Sequence, residues 1–156
     1  MSSDIIESPM IVRNVNVSVN HSRTPREVIR ALRYHRSYAI DSVVDAMPMG
    51  KGDRIKIYLF KPNPSAYHKT HQWMTDDDLE REYKSQKLNA LDPYSLATLN
   101  DNEPSFCENH PNGTHWKGSG GKWYYATFDS WGGGPVVNIR QSDNIWLPSW
   151  WFAGYK

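Results

Sequence analysis

At 156 residues the chain has the size of one domain, and a formal net charge of +1 excludes coating nucleic acid or membrane by bulk charge. Aromatics reach 13%, with seven Trp and nine Tyr, which excludes a disordered chain. The single cysteine, Cys107, excludes an intrachain disulfide and points to a reducing, cytoplasmic setting.

The start, MSSDIIESPM, has neither a basic segment nor a long apolar run, so no secretory signal is expected. No stretch approaches the ~18 apolar residues of a membrane span. Residues 1–9 read as a flexible tail, and 10–156 as a single α+β domain. From Met10 to Val19 apolar and polar residues alternate, which predicts a strand. Thr24-Pro25-Arg26-Glu27 then predicts a helix start, with Thr24 and Glu27 capping each other and Pro25 where a missing N–H costs nothing. A short helix follows Asp41-Ser42 and stops at Pro48, and Arg54–Lys61 reads as a second strand.

Thr75-Asp76-Asp77-Asp78 opens another helix, with carboxylates in the positive first turn and Met74 placed to meet Leu79. Asp92-Pro93 restarts a shorter one. Residues 100–116, rich in Asn, Pro and Gly, read as a loop. Thereafter the period becomes two, and segments 122–129, 136–140 and 145–152 predict a Trp-rich C-terminal meander. The expected fold is a mostly antiparallel sheet of about five strands, with helices packed on one face.

Three constellations carry functional readings. Cys107, His110 and His115 are candidate metal ligands or members of a small-ligand enzyme site. Their spacing matches no paired zinc knuckle and no nucleophile motif, so neither a metal nor another cofactor is expected. Six arginines between Arg13 and Arg36 stand against one acid, Glu27, and Arg26, Arg30 and Arg33 share a helix face suited to phosphate. The aromatics are the largest feature. Trp116, Trp123, Tyr125, Trp131, Trp150 and Trp151 exceed what three short strands can bury on one side, because Trp123 and Tyr125 alternate with Tyr124 and Phe128. Of Trp150 and Trp151, one is expected in the core and one at the surface.

The strings NVNVSVNHSRTPREVIRA, YAIDSVVDAMPMGKGDRIKIYLFK, DPYSLATLND, HPNGTHW, GKWYYATFDSW and the terminal WWFAG cover most of the chain. On these it resembles a family of short, uncharacterised bacterial and phage-type proteins. The resemblance implies a stand-alone protein in such a setting and carries no activity, cofactor or catalytic residue. The expectation is a non-enzymatic interaction protein with an aromatic surface for a protein partner or a second copy of itself. Its role would be a phage or mobile-element accessory one, as virion component or host-protein inhibitor. The alternatives are the His110/His115/Cys107 enzyme and nucleic-acid binding through the arginine face.

Overall fold

The computed structural model describes residues 11–34 and 36–156, so the expected tail over 1–9 lies outside the described residues. In chain order the elements are β1 (Ile11–Ser18), α1 (Pro25–Ala31), β2 (Arg36–Ala39), α2 (Asp41–Ala46), β3 (Arg54–Phe60), α3 (Asp76–Ser85) and β4 (Asn89–Ala90). There follow α4 (Pro93–Asn102), α5 (Phe106–Asn109), β5 (Asn112–Lys117), β6 (Trp123–Trp131), β7 (Gly134–Gln141) and β8 (Trp151–Tyr155).

The helix starts follow their caps. Thr24 Oγ1 accepts the Glu27 N–H at 3.1 Å while Glu27 accepts the Thr24 N–H at 2.8 Å. Thr75 and Asp78 repeat the arrangement at α3, and Asp92 accepts the Ser95 N–H at 2.7 Å to open α4.

The sheet is larger than the periodicity predicts and is mixed. Among the described residues eight strands form the sheet, in the order β1-β3-β8-β5-β6-β7-β2, with β4 paired to β8. The β5/β8 and β2/β7 pairs are parallel; the others are antiparallel. Three strands escape sequence reading for physical reasons, and β4, with two residues, is too short to carry any pattern. β2 has four residues, too few to show alternation. β5 (NGTHWK) carries Asn and Gly, which strands usually avoid, because it lies in mid-sheet and its polar groups bond to neighbours.

The third meander strand is also displaced. After the β6–β7 hairpin the chain leaves β7, which lies inside edge strand β2, and β8 enters the sheet between β3 and β5. Residues 142–150 form that crossing, which Pro148 suits.

Helices cover both faces, not one. Leu59 and Ala153, a cross-strand pair, belong to a core shared with Val28, Ile29, Val44, Leu96, Leu99 and Cys107 from α1, α2, α4 and α5. Their neighbours Phe60 and Phe152 belong to a second core with Leu79 and Tyr83 of α3. Alternation along β3 and β8 thus feeds two hydrophobic layers, which consumes much of the aromatic excess.

Beyond Gly113 and Phe152, β5 and β8 part, and β4 pairs with the remainder of β8. Leu91 donates its N–H to the Ala153 carbonyl and its carbonyl accepts the Thr114 hydroxyl at 2.6 Å, so residues 89–91 plug the split. Among the described residues no helix is long and apolar enough to cross a membrane.

Candidate functional site

His115 follows Thr114 on β5 and points to the opposite face, beneath α3, where it is 1% exposed. Its Nδ1 lies 2.7 Å from Asp76 Oδ1 and its Nε2 3.0 Å from Glu80 Oε2. Asp76 and Glu80 sit one helical turn apart on α3, so one imidazole reaches both. The ring also stacks on Trp123, with centroids 4.1 Å apart, and on Tyr83.

Burial works against a charged His115, but hydrogen bonds and charge from Asp76 and Glu80 prevail and raise its pKa. Desolvation likewise pushes Asp76 up, and hydrogen bonds from His115, Ser142 and Trp146 overcome it, leaving the carboxyl below its usual range. With both ring nitrogens within 3.0 Å of carboxylate oxygens, the geometry is that of an imidazolium donating to two carboxylates. Asp76 Oδ1 accepts from Trp146 Nε1 at 2.8 Å, Oδ2 accepts from Ser142 Oγ at 2.6 Å, and the Asp76 N–H reaches Asn144 Oδ1 at 2.8 Å. Ser142 thus gives its proton to Asp76, and neither nitrogen of His115 is left to activate a hydroxyl.

What this network does is hold the crossing segment. Residues 142–146 are pinned to the start of α3, and Met74 and Trp146 exchange backbone hydrogen bonds of 3.0 and 2.9 Å. Between that segment and β6–β7 lies a groove of about 250 Å³, lined by Tyr125, Arg140, Asp143, Ile145, Leu147 and Trp150, among others. Its floor is Trp146, 3% exposed, against which Tyr125 and Trp150 pack edge-on. Leu147 is 50% and Ile145 38% exposed.

The register Tyr38↔Asn138 places exposed Tyr38 on this same sheet face, continuing the apolar surface to edge strand β2. Sequence alone does not single out Ile145 and Leu147, because 145–150 reads as strand, nor Arg140, which ends the strand expected over 136–140. The breakers Asp143-Asn144 and Pro148 were the available signal.

The structure disperses the aromatic set. Tyr125 and Trp150 meet in the groove, whereas Trp123 covers His115. Trp116 packs on the opposite face against Tyr124, and Trp131 sits at the β6–β7 turn, 60% exposed. Trp151 is half-buried between Lys61 and His110. The expected core-and-surface division of Trp150 and Trp151 does not occur. Both are half-buried, and Trp146 is the core tryptophan.

Cys107, His110 and His115 are not brought together by hydrogen bonds. Residues 100–116 are not a loop, being the end of α4, α5 and most of β5. Cys107 is buried against the carbonyls of Asp129 and Pro104, and burial raises its thiol pKa, the reverse of nucleophile activation. His110 stacks on Phe106. Among the described residues no group of three or more His, Cys, Asp or Glu side chains is arranged to hold a metal ion. Of the arginine face, Arg26 is bound bidentately by Asp45 and lies 3.9 Å from Asp41, while Arg30 and Arg33 are exposed. Acids on α2 thus neutralise part of a stripe that looks unopposed on α1 alone.

Comparison with protein-family models, with curated proteins and with solved structures finds no match to this chain.

Proposed function

We propose that the protein is a non-enzymatic docking module, and that the groove between β6–β7 and residues 143–150 receives an extended segment of a partner protein through one apolar anchor side chain. The observation that carries this reading is the groove itself. Its volume of about 250 Å³ falls below the ~300–1,000 Å³ of small-molecule sites and suits a single large side chain. Its walls combine aromatic and aliphatic side chains with four polar ones, Thr127, Asn138, Arg140 and Asp143, that can bond a peptide backbone. Edge strand β2, which carries Tyr38, extends the same face, and its outer edge pairs with no other strand among the described residues, which suits strand addition. The bacterial and phage-type resemblance supports an accessory role, as virion component or inhibitor of a host protein.

Selection of a displayed random-peptide library on the immobilised protein tests this. Peptides sharing an aromatic or branched aliphatic anchor should emerge, and Leu147→Asp should weaken them by about tenfold or more. The exposed control Lys69→Asp should leave binding unchanged. Failure to enrich any peptide, or enrichment insensitive to Leu147→Asp, would rule the groove out as the docking site.

A further inference from the structure

A second, larger cavity lies where β5 and β8 part, on the sheet face opposite the groove. It measures about 570 Å³, inside the range of small-molecule sites. The split explains its existence. Residues 89–91 fill the gap only at the backbone level, leaving a hollow above Ala90 and Leu91 at the carboxyl ends of the parallel strands β5 and β8. In open sheets such a divergence point is where ligands commonly enter.

The walls are apolar and aromatic: Ile55, Leu91, Trp116 and Tyr155. Three residues that carry charge complete the lining, Asp92, Lys51 and His115, and both ring nitrogens of His115 are already committed to Asp76 and Glu80. Asp92 is committed to capping α4, accepting from the Ser95 N–H and hydroxyl, which fixes the carboxylate in place. No cation forms a salt bridge with it among the described residues, and burial raises its pKa, the mark of an under-compensated negative charge. Lys51 is exposed and likewise forms no salt bridge. Gly50 holds the two together: an added Cβ there would lie 2.3 Å from Asp92 Oδ1, so the loop carrying Lys51 rests on the carboxylate.

The geometry points to a binding site for a free α-amino acid with a large apolar side chain. Its ammonium pairs with Asp92, its carboxylate with Lys51, and its side chain lies among Ile55, Leu91, Trp116 and Tyr155. A fixed anion and an exposed cation at one end of an apolar hollow are the complement of a zwitterion bearing a hydrophobic group. A simple amine satisfies only Asp92, and a simple carboxylate only Lys51.

Two substitutions separate these cases without attacking the fold. Asp92→Asn removes the charge and keeps a good helix cap, and Lys51→Gln alters an exposed side chain. Saturation-transfer NMR and calorimetry with L-phenylalanine, L-tryptophan, L-leucine, phenethylamine and 3-phenylpropionate provide the readout. At least one amino acid should bind the wild type more tightly than both phenethylamine and 3-phenylpropionate. Asp92→Asn should weaken the amino acid and the amine about tenfold or more, and Lys51→Gln the amino acid but not the amine. Absence of binding by every probe, tighter binding of the amine or acid alone, or amino-acid binding indifferent to both substitutions would overturn the assignment. The groove variant Leu147→Asp should leave this binding intact, since the two sites lie on opposite faces.

Discussion

Asp76 and His115, separated by 39 positions in the chain, form a hydrogen-bonded ion pair 2.7 Å across that is almost wholly inaccessible to solvent. Through Ser142 and Trp146 the same carboxylate fixes the wall and floor of the groove. The buried charge therefore belongs to positioning, and its removal should be felt in stability first. Asp76→Asn leaves His115, Ser142 and Trp146 with a poorer, neutral acceptor. A loss of about 3–5 kcal/mol is expected in urea denaturation. Glu80, partly exposed on the other nitrogen, is screened by water, and Glu80→Gln should cost under about 1 kcal/mol. Equal costs at the two positions would show that burial does not set the strength of this network.

The network also confers a pH window. His115 has a raised folded pKa, so its contribution is complete below the unfolded value of about 6.5 and disappears as pH rises through the folded one. Asp76 and Glu80 have lowered folded pKa values, so their contributions are complete above about 4 and disappear as pH falls through the folded ones. The stability difference between wild type and His115→Gln should thus be largest between about pH 4 and 6.5 and decline on both sides. Denaturation curves across pH 3 to 10 measure it directly; a difference that grows steadily with pH would contradict a charged His115.

Tryptophan substitutions should separate core from surface at Trp146, which sequence alone does not assign, and at Trp131, expected at the surface and found 60% exposed. Trp146→Ala removes a buried ring and the donor to Asp76, at an expected cost of about 3–5 kcal/mol. Trp131→Ala, at a hairpin turn with the ring 60% exposed, should cost under about 1 kcal/mol. Thermal melts compare the two, and a Trp131 variant as unstable as the Trp146 variant would mean that the hairpin end is packed.

A buried amide pair offers a double-mutant test of the α4–β5 contact. Asn100 Nδ2 donates to Asn112 Oδ1 at 2.8 Å, and Asn112 Nδ2 returns a bond to Asn100 Oδ1 at 3.1 Å. Either Asn→Ala change orphans the other amide, costing about 1–3 kcal/mol beyond the lost packing. The double variant should cost clearly less than the sum of the singles. Strict additivity would show that the two amides do not depend on each other.

Legibility in the sequence tracked how local the determining physics is. The caps at Thr24, Thr75 and Asp92 involve residues three apart, and they could be read directly. The alternation of Trp123 and Tyr125 against Tyr124 and Phe128 was likewise visible, being set by backbone geometry within one strand. By contrast, the passage of β8 between β3 and β5 depends on partners 39 and more residues away, so a third meander strand is the natural reading of 145–152. His115 stands out as a candidate ligand, whereas Asp76 reads with Asp77 and Asp78 as a helix-start charge cluster and Glu80 carries no signal of its own. Nothing local distinguishes a carboxylate that faces water from one that faces an imidazole across the sheet.

The loop over the second cavity provides the sharpest test of a single contact. Gly50 and Gly52 both hold left-handed backbone, with φ of +70° and +89°, so any L side chain at either position meets the same intrinsic cost of about 1–2 kcal/mol. Their surroundings differ. A Cβ at Gly52 finds its nearest neighbour, the Arg54 carbonyl, 3.8 Å away, an ordinary contact. A Cβ at Gly50 would lie 2.3 Å from Asp92 Oδ1, which is itself held by Ser95. Either the loop must lift or the carboxylate must leave its capping position, so Gly50→Ala should lose the intrinsic cost plus up to about 0.5–2 kcal/mol of the cap. Gly52→Ala should lose the intrinsic cost alone. Hydrogen exchange identifies the route: with the carboxylate displaced, the Ser95 amide should exchange faster in Gly50→Ala than in Gly52→Ala. With the loop lifted instead, the Ser95 amide stays protected and the lining contact of Lys51 is lost. Equal stability of the two variants with unchanged Ser95 exchange would show that the loop does not rest on Asp92.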